Sequence, residues 1–200
     1  MPLLLRMANN NHKLIIITAP SGAGKSSITK YLLNKFPKLT FSVSAATREP
    51  RSNEINGVHY YFISVEEFQQ KIKDDAFIEW EMVYEGKYYG TLKSEIYRIW
   101  EEGKVPVLDI DVQGAIHVQQ QFKANALSIF IEPPSIQELE KRLKTRATET
   151  PESIAIRLGK ANYEISFRHQ FDRIVVNDVF ETACVETEKI IKEFLEIKTG

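Results

Sequence analysis

The stretch from Ala19 to Ser27 reads Ala-Pro-Ser-Gly-Ala-Gly-Lys-Ser-Ser, and two different hydrophobic patterns flank it. Before it lies the unbroken apolar run Leu14-Ile15-Ile16-Ile17, the pattern of a buried strand. After it, Ile28, Tyr31, Leu32, Lys35 and Phe36 recur on one side of a helix. Strand, glycine loop and helix in that order form the setting in which backbone N–H groups close around a phosphate. Gly22 and Gly24 let the backbone turn inward, and Ser21, Ala23 and Ser27 complete the loop. Lys25 is placed to reach the outer phosphates of a nucleotide, and the Ser26 hydroxyl to ligate Mg2+. Ala19 stands where the pattern ordinarily opens with glycine. The plainer alternative is a glycine-rich turn between strand and helix.

The remaining chain repeats this alternation. Apolar runs at 13–18, 40–44, 105–111, 126–132 and 172–177 are separated by helical patterns, which predicts an α/β fold with a parallel sheet flanked by helices. Pro106 is tolerable because it falls near the start of its strand. Residues 57–91 differ in texture, with short aromatic-rich runs at Val58 to Ile63, Phe77 to Val83 and Tyr88 to Thr91. They predict an inserted lobe of mixed strands and one helix, opened by the capping box Ser64-Val65-Glu66-Glu67. A second capping box, Ser135-Ile136-Gln137-Glu138, begins an arginine-bearing helical segment to about residue 168. A last helix is expected from about Glu181 to Ile197.

Two hundred residues suit one domain with lobes, and a net charge of −1 argues against a globally basic nucleic-acid binder. The lone cysteine, Cys184, excludes an internal disulfide framework, suits a reducing cytoplasm and reads as a small apolar filler on the last helix. No apolar stretch approaches a membrane span, and Leu3-Leu4-Leu5 is too short for a signal-peptide core. Residues 1–12, with their Asn9-Asn10-Asn11 run, read as a flexible lead-in, and Met7 is as acceptable a start as Met1. Oligomeric state is left open.

A phosphate loop alone binds a nucleotide; transfer to a second molecule needs an acceptor site and charge neutralisation between the two phosphate groups. Ser44 through Arg51 follow the second strand, at the sheet edge where ligand sites gather. Arg48 and Arg51, three apart in a proline-containing loop, are placed to clamp a phosphate through forked hydrogen bonds, although each alone reads as a surface arginine. The lobe offers Tyr60, Glu79, Tyr89 and Thr91. Glu79 sits awkwardly within Phe77-Ile78-Glu79-Trp80, and one carboxylate matches the adjacent ring N–H and amine of guanine, a pair adenine lacks. An outward position on an alternating strand is the competing explanation. Arg142 and Arg146 share one helix face, with Arg157 on the following helical segment. Such arginines can close over phosphates, or simply form an exposed basic face. Asp109 and Asp111, two apart on one expected strand, point the same way and suggest metal, water or substrate contacts, with a structural role as the alternative for one of them. His12, His59, His117 and His169 show no ligand spacing.

In this order the segments resemble the guanylate kinase family from about Lys13 to the last helix. The resemblance rests on the Ser21–Ser26 loop, Ser44 to Arg51, Gly57 to Tyr60, Phe77 to Trp80, Tyr88 to Thr91, Leu108 to Gly114 and Val175 to Asp178. It implies a nucleoside-monophosphate kinase core (13–46, 92–134 and 169–200), a GMP-binding lobe (47–91) and a helical lid (135–168). Ser44, Glu79, Thr91 and Asp109 match guanine-side contacts; Arg48, Arg51, Tyr60 and Tyr89 match contacts to the GMP phosphate. Arg142, Arg146 and Arg157 match arginines near the transferred phosphoryl group, and Asn177 a position beside the ATP base. Two departures stand out: a loop between Trp80 and Tyr88 one residue longer than in many members, and Thr145 and Ala147 where glycines often flank the lid arginine. The implied activity is transfer of the γ-phosphoryl group of Mg-ATP to GMP. The alternatives are a kinase for another nucleoside monophosphate and a non-catalytic module of the same fold that binds phosphorylated peptides.

Overall fold

The computed structural model describes residues 12–145 and 150–196. Among them a five-stranded, all-parallel sheet has the order β2-β7-β1-β8-β9: β1 (Leu14–Thr18), β2 (Leu39–Phe41), β7 (Val105–Asp109), β8 (Ala126–Glu132) and β9 (Arg173–Val176). β1 is buried throughout, which is why it reads as an unbroken apolar run rather than an alternation. Successive side chains leave a strand on opposite faces. Ile15 and Ile17 accordingly pack with Ile28 and Leu32 of α1 (Lys25–Lys35) and Ile191 of α7 (Phe180–Glu196), whereas Leu14 and Ile16 pack on the other face. There they meet Ile96 and Trp100 of α3 (Lys93–Glu101) and Val118 of α4 (Val112–Phe122). Cys184 on α7 is buried in the first of these cores, as an apolar filler would be.

The insertion forms a second sheet, β4-β3-β6-β5, from β3 (Ala45–Ala46), β4 (Tyr61–Phe62), β5 (Phe77–Tyr84) and β6 (Lys87–Leu92). Helix α2 (Val65–Lys73) covers it, with Phe68 stacked on Phe77 and Tyr88. The N-cap half of the expected capping box is present: Ser64 Oγ accepts a hydrogen bond from the Glu67 N–H. A third unit packs α5 (Ile136–Thr145) against α6 (Pro151–Ser166) through Leu139, Leu143, Ile154 and Ala161.

Several boundaries differ from the sequence reading. The expected strand 40–44 is β2 at 39–41 followed by a crossing to the second sheet at Ala45, so the small sheet uses residues on both sides of the 47–91 span. A buried carboxylate fixes that crossing: Glu95 of α3 accepts hydrogen bonds from the Val43 N–H, the Tyr61 hydroxyl and Arg98. The expected strand 105–111 ends at Asp109, because the Asp111 side chain accepts the Gly114 N–H and caps α4. Asp109 and Asp111 therefore do not share a strand face. Among the described residues the segment 135–168 holds α5 and α6, with Arg142 on the first and Arg157 on the second, as the sequence reading expects. The lead-in to Asn11 and the lid arginine Arg146 lie outside the described residues.

Candidate active site

The phosphate loop connects β1 to α1, at the carboxyl edge of the parallel sheet. Gly22 and Gly24 both take φ +96°, the left-handed region that favours glycine. A Cβ on Gly24 would also collide with the Asn177 side chain, whose Nδ2 donates to the Ala23 carbonyl at 2.7 Å. Asn177 is itself buried. Its amide holds the loop from beneath and is not among the residues lining the cleft above.

That cleft, about 890 Å3, runs without interruption from the loop to the second sheet. Ser21, Gly22, Gly24, Lys25, Ser26 and Ser27 line one end. Ser44, Arg48, Arg51, Tyr60, Glu79 and Tyr89 line the other, and Asp109, Asp111 and Arg157 lie in the same wall. Lys25 forms an ion pair with Asp109 and donates to the Ile110 carbonyl at 3.4 Å. Helix α6 reaches the loop directly, with Arg157 Nη1 donating to Ser21 Oγ at 2.7 Å. Leu139 and Leu143 of α5 lie within contact of a Cβ placed on Gly22, so α5 packs on the loop as well.

At the far end Thr91, buried on β6, donates its hydroxyl to Glu79 Oε1 at 2.6 Å. Burial pushes the Glu79 carboxyl up to about 7, with the Asp111 charge adding to the rise and the Thr91 hydroxyl opposing it. Its second oxygen lies against Gly114: a Cβ there would come within 2.8 Å of Oε2. Tyr60 meets Tyr89 edge-on at 5.9 Å, and the Arg48 guanidinium lies 5.0 Å from the centre of the Tyr60 ring. Burial and the nearby Asp109 raise the Tyr60 phenol above its ordinary value.

Two expectations change. Arg142 is not brought to the cleft: its Nε pairs with Glu138 at 3.6 Å and its Nη2 donates to the Asp178 carbonyl at 3.5 Å. The forked face of Arg48 is already taken, since Nη1 and Nη2 each donate to Glu54 at 2.6 Å. Glu54, Glu81, Gly114, Lys160 and Glu164 bear on the cleft and were not singled out from the sequence. Lys160 and Glu164 follow Arg157 at helical spacing, and Glu81 follows Glu79 at strand spacing, so periodicity carried a signal for three of them. Gly114 carried none, because what it accommodates is distant in sequence.

A family model described as guanylate kinase matches residues 11–194. The guanylate kinase of Bacteroides thetaiotaomicron is 49% identical over 183 residues, spanning 92% of this chain and 90% of that protein. That of Porphyromonas gingivalis is 48% identical over 184 residues, spanning 92% and 98%. Among solved structures, guanylate kinase from Anaplasma phagocytophilum matches with a TM-score of 0.72 at 28% identity, covering 93% of this chain and 87% of that one.

Proposed function

The chain belongs to the guanylate kinase family and has guanylate kinase activity, and from that premise we propose how its cleft carries the reaction. The observation that carries the proposal is the single continuous cleft, lined by the phosphate loop at one end and the Glu79 lobe at the other. ATP lies with its phosphates on the loop amides and Lys25, along Ser21 to Ser27. GMP lies head to head with it. Its phosphate is held by Arg48, Arg51, Tyr60 and Tyr89, and its base by Ser44, Glu79 and Asp109, with Thr91 orienting Glu79.

Ionised Glu79 accepts the guanine ring N–H and exocyclic amine together, whereas adenine meets that carboxylate with an unprotonated ring nitrogen. A buried polar group left unpaired in this way is the strongest basis for discrimination between ligands of the same shape. One oxygen of the GMP phosphate attacks the γ-phosphorus in line; the bond from that phosphorus to the β–γ bridging oxygen breaks, ADP leaves with the electron pair, and GDP forms. The attacking oxygen is already anionic, so no strong base is needed. Lys25 and Arg157, with Arg142 and Arg146 on a lid able to rearrange, neutralise the charge that builds between the nucleotides. Lid and lobe exclude water, the competing acceptor.

The donor set fits a magnesium ion. Ser26, Asp109 and Asp111 offer hard oxygen ligands beside the loop, and no cluster of three or more metal-ligating side chains occurs among the described residues. That suits an ion held mainly by phosphates, water and one or two protein oxygens. When bound, it supplies neutralisation of the phosphate oxygens. The lobe (47–91) and lid (135–168) act as the moving parts around the core. No helix among the described residues is long and apolar enough to cross a membrane. The test is ADP formation by purified protein with Mg-ATP and, separately, GMP, AMP, UMP or dTMP. Strong preference for GMP is expected; equal use of AMP overturns the base-site assignment.

A further inference from the structure

We propose that Glu54 is a positioning residue for the acceptor phosphate, a built-in carboxylate that fixes Arg48 and the loop carrying Arg51 before the nucleotide arrives. The inference rests on the assignment of Arg48 and Arg51 to that phosphate.

Glu54 makes three hydrogen bonds. Its Oε1 accepts from Arg48 Nη2 at 2.6 Å, and its Oε2 accepts from Arg48 Nη1 at 2.6 Å and from the Arg51 backbone N–H at 2.8 Å. One carboxylate therefore sets a side chain and a main-chain segment three residues further on. The fork-on-fork geometry is the most directional ion pair available to proteins. Both partners are mostly withdrawn from water, at 14% and 12% side-chain exposure. The Arg48 guanidinium holds the Glu54 carboxyl down to about 2, so the pair stays ionised at any working pH.

The remaining Arg48 donors show what the pair leaves for a ligand. Nε donates to the Tyr89 hydroxyl at 3.2 Å, and Nη1 also donates to the Glu49 carbonyl at 3.0 Å. Four of the five N–H groups of Arg48 are thus engaged inside the protein, leaving one on Nη2. Arg48 cannot fork around a phosphate unless Glu54 lets go. With Glu54 in place, Arg48 presents a single N–H and aims the Tyr89 hydroxyl. The ion pair is neutral as a unit, so the net positive charge for the acceptor phosphate comes from Arg51.

Two roles are distinguishable in sign. As a competitor for Arg48, Glu54 weakens acceptor binding, and its removal improves it. As a positioning residue, it spares the acceptor the cost of ordering Arg48, Tyr89 and the Arg51 loop, and its removal weakens binding. The bond to the Arg51 N–H decides for positioning, because a competitor needs no hold on the backbone.

Steady-state kinetics on the full chain test this, with wild type, Glu54→Gln and Glu54→Asp compared at varied GMP and at varied ATP. Glu54→Gln should raise KM for GMP roughly tenfold to a hundredfold, the scale of a misplaced substrate clamp. KM for ATP should stay within about twofold, since donor contacts are untouched. Glu54→Asp, with the charge on a shorter arm, should recover part of the loss. A KM for GMP that is unchanged or lower overturns the proposal, as does a parallel rise in both KM values. Should Glu54→Gln not fold, Glu54→Asp reads the same split at smaller amplitude, and absence of the split there is equally decisive. Wild type inactive on GMP would count against the acceptor-site assignment itself rather than the role of Glu54 within it.

Discussion

The Thr91 hydroxyl donates to Glu79 Oε1 at 2.6 Å, from a position directly across the β5–β6 ladder. Two opposed effects meet at this carboxyl. Burial and the Asp111 charge favour the protonated form, the Thr91 bond favours the ionised one, and burial wins, leaving the group near 7. The carboxyl that we propose for the acceptor base is therefore poised rather than permanently charged.

A pH dependence follows, with a definite sign. If Glu79 holds the guanine donors as proposed, it must be ionised to do so, and KM for GMP should fall as pH rises through about 7 and level off above it. The GMP phosphate itself titrates near about pH 6, so Glu79→Gln serves as the baseline, and the inflection near 7 should be missing there. Thr91→Val removes the bond that favours ionisation and should move the inflection upward. For folding, the native state holds the Glu79 proton more tightly than the unfolded chain. The carboxyl's contribution to stability is thus present below the ordinary carboxylate range and lost as pH rises to about 7.

Gly114 offers a way to disturb Glu79 without touching it chemically. A Cβ there meets Glu79 Oε2 at 2.8 Å, and the atom it meets is the end of a flexible side chain. Alanine also favours the helix that Gly114 occupies. Gly114→Ala should leave the melting temperature within a few degrees of wild type while raising KM for GMP about tenfold or more through displacement of the carboxylate. Thermal unfolding and GMP kinetics on the same preparation check both halves.

Arg157 reaches from the lid to Ser21 Oγ, at the edge of the phosphate loop. If it neutralises charge during transfer, Arg157→Ala should lower kcat by roughly 10³-fold, in the range known for arginine fingers, with KM for GMP nearly unchanged. Single-turnover measurements separate this from slowed product release. A fall confined to KM for ATP would reassign Arg157 to ground-state binding.

Much of this arrangement was legible in the chain. β1, the glycine loop and α1 announce themselves because a buried strand, left-handed glycines and an amphipathic helix each leave a local pattern. The strand at 126–132 was placed to the residue for the same reason. What escaped depended on partners distant in sequence. The chain leaves the main sheet after Ser42, whose N–H still donates to the Val107 carbonyl, and Glu95, more than fifty residues on, captures the next N–H at Val43. Asp111 leaves its strand to cap a helix, a local choice that strand periodicity cannot express. Arg48 looked like a free clamp because nothing in its spacing from Glu54, six residues on, declares that the two side chains fork together. For Asn177, expected beside the ATP base, the sequence could not express the hydrogen bond its Nδ2 donates to the Ala23 carbonyl.

We propose that a buried carboxylate in the lobe chooses the acceptor base, and kcat/KM for GMP in Glu79→Gln at saturating Mg-ATP reads that choice. An amide offers one acceptor and presents an N–H to a guanine donor, so kcat/KM should fall by at least about two orders of magnitude. KM for ATP should not change. A Glu79→Gln enzyme that uses GMP as efficiently as wild type would contradict the account.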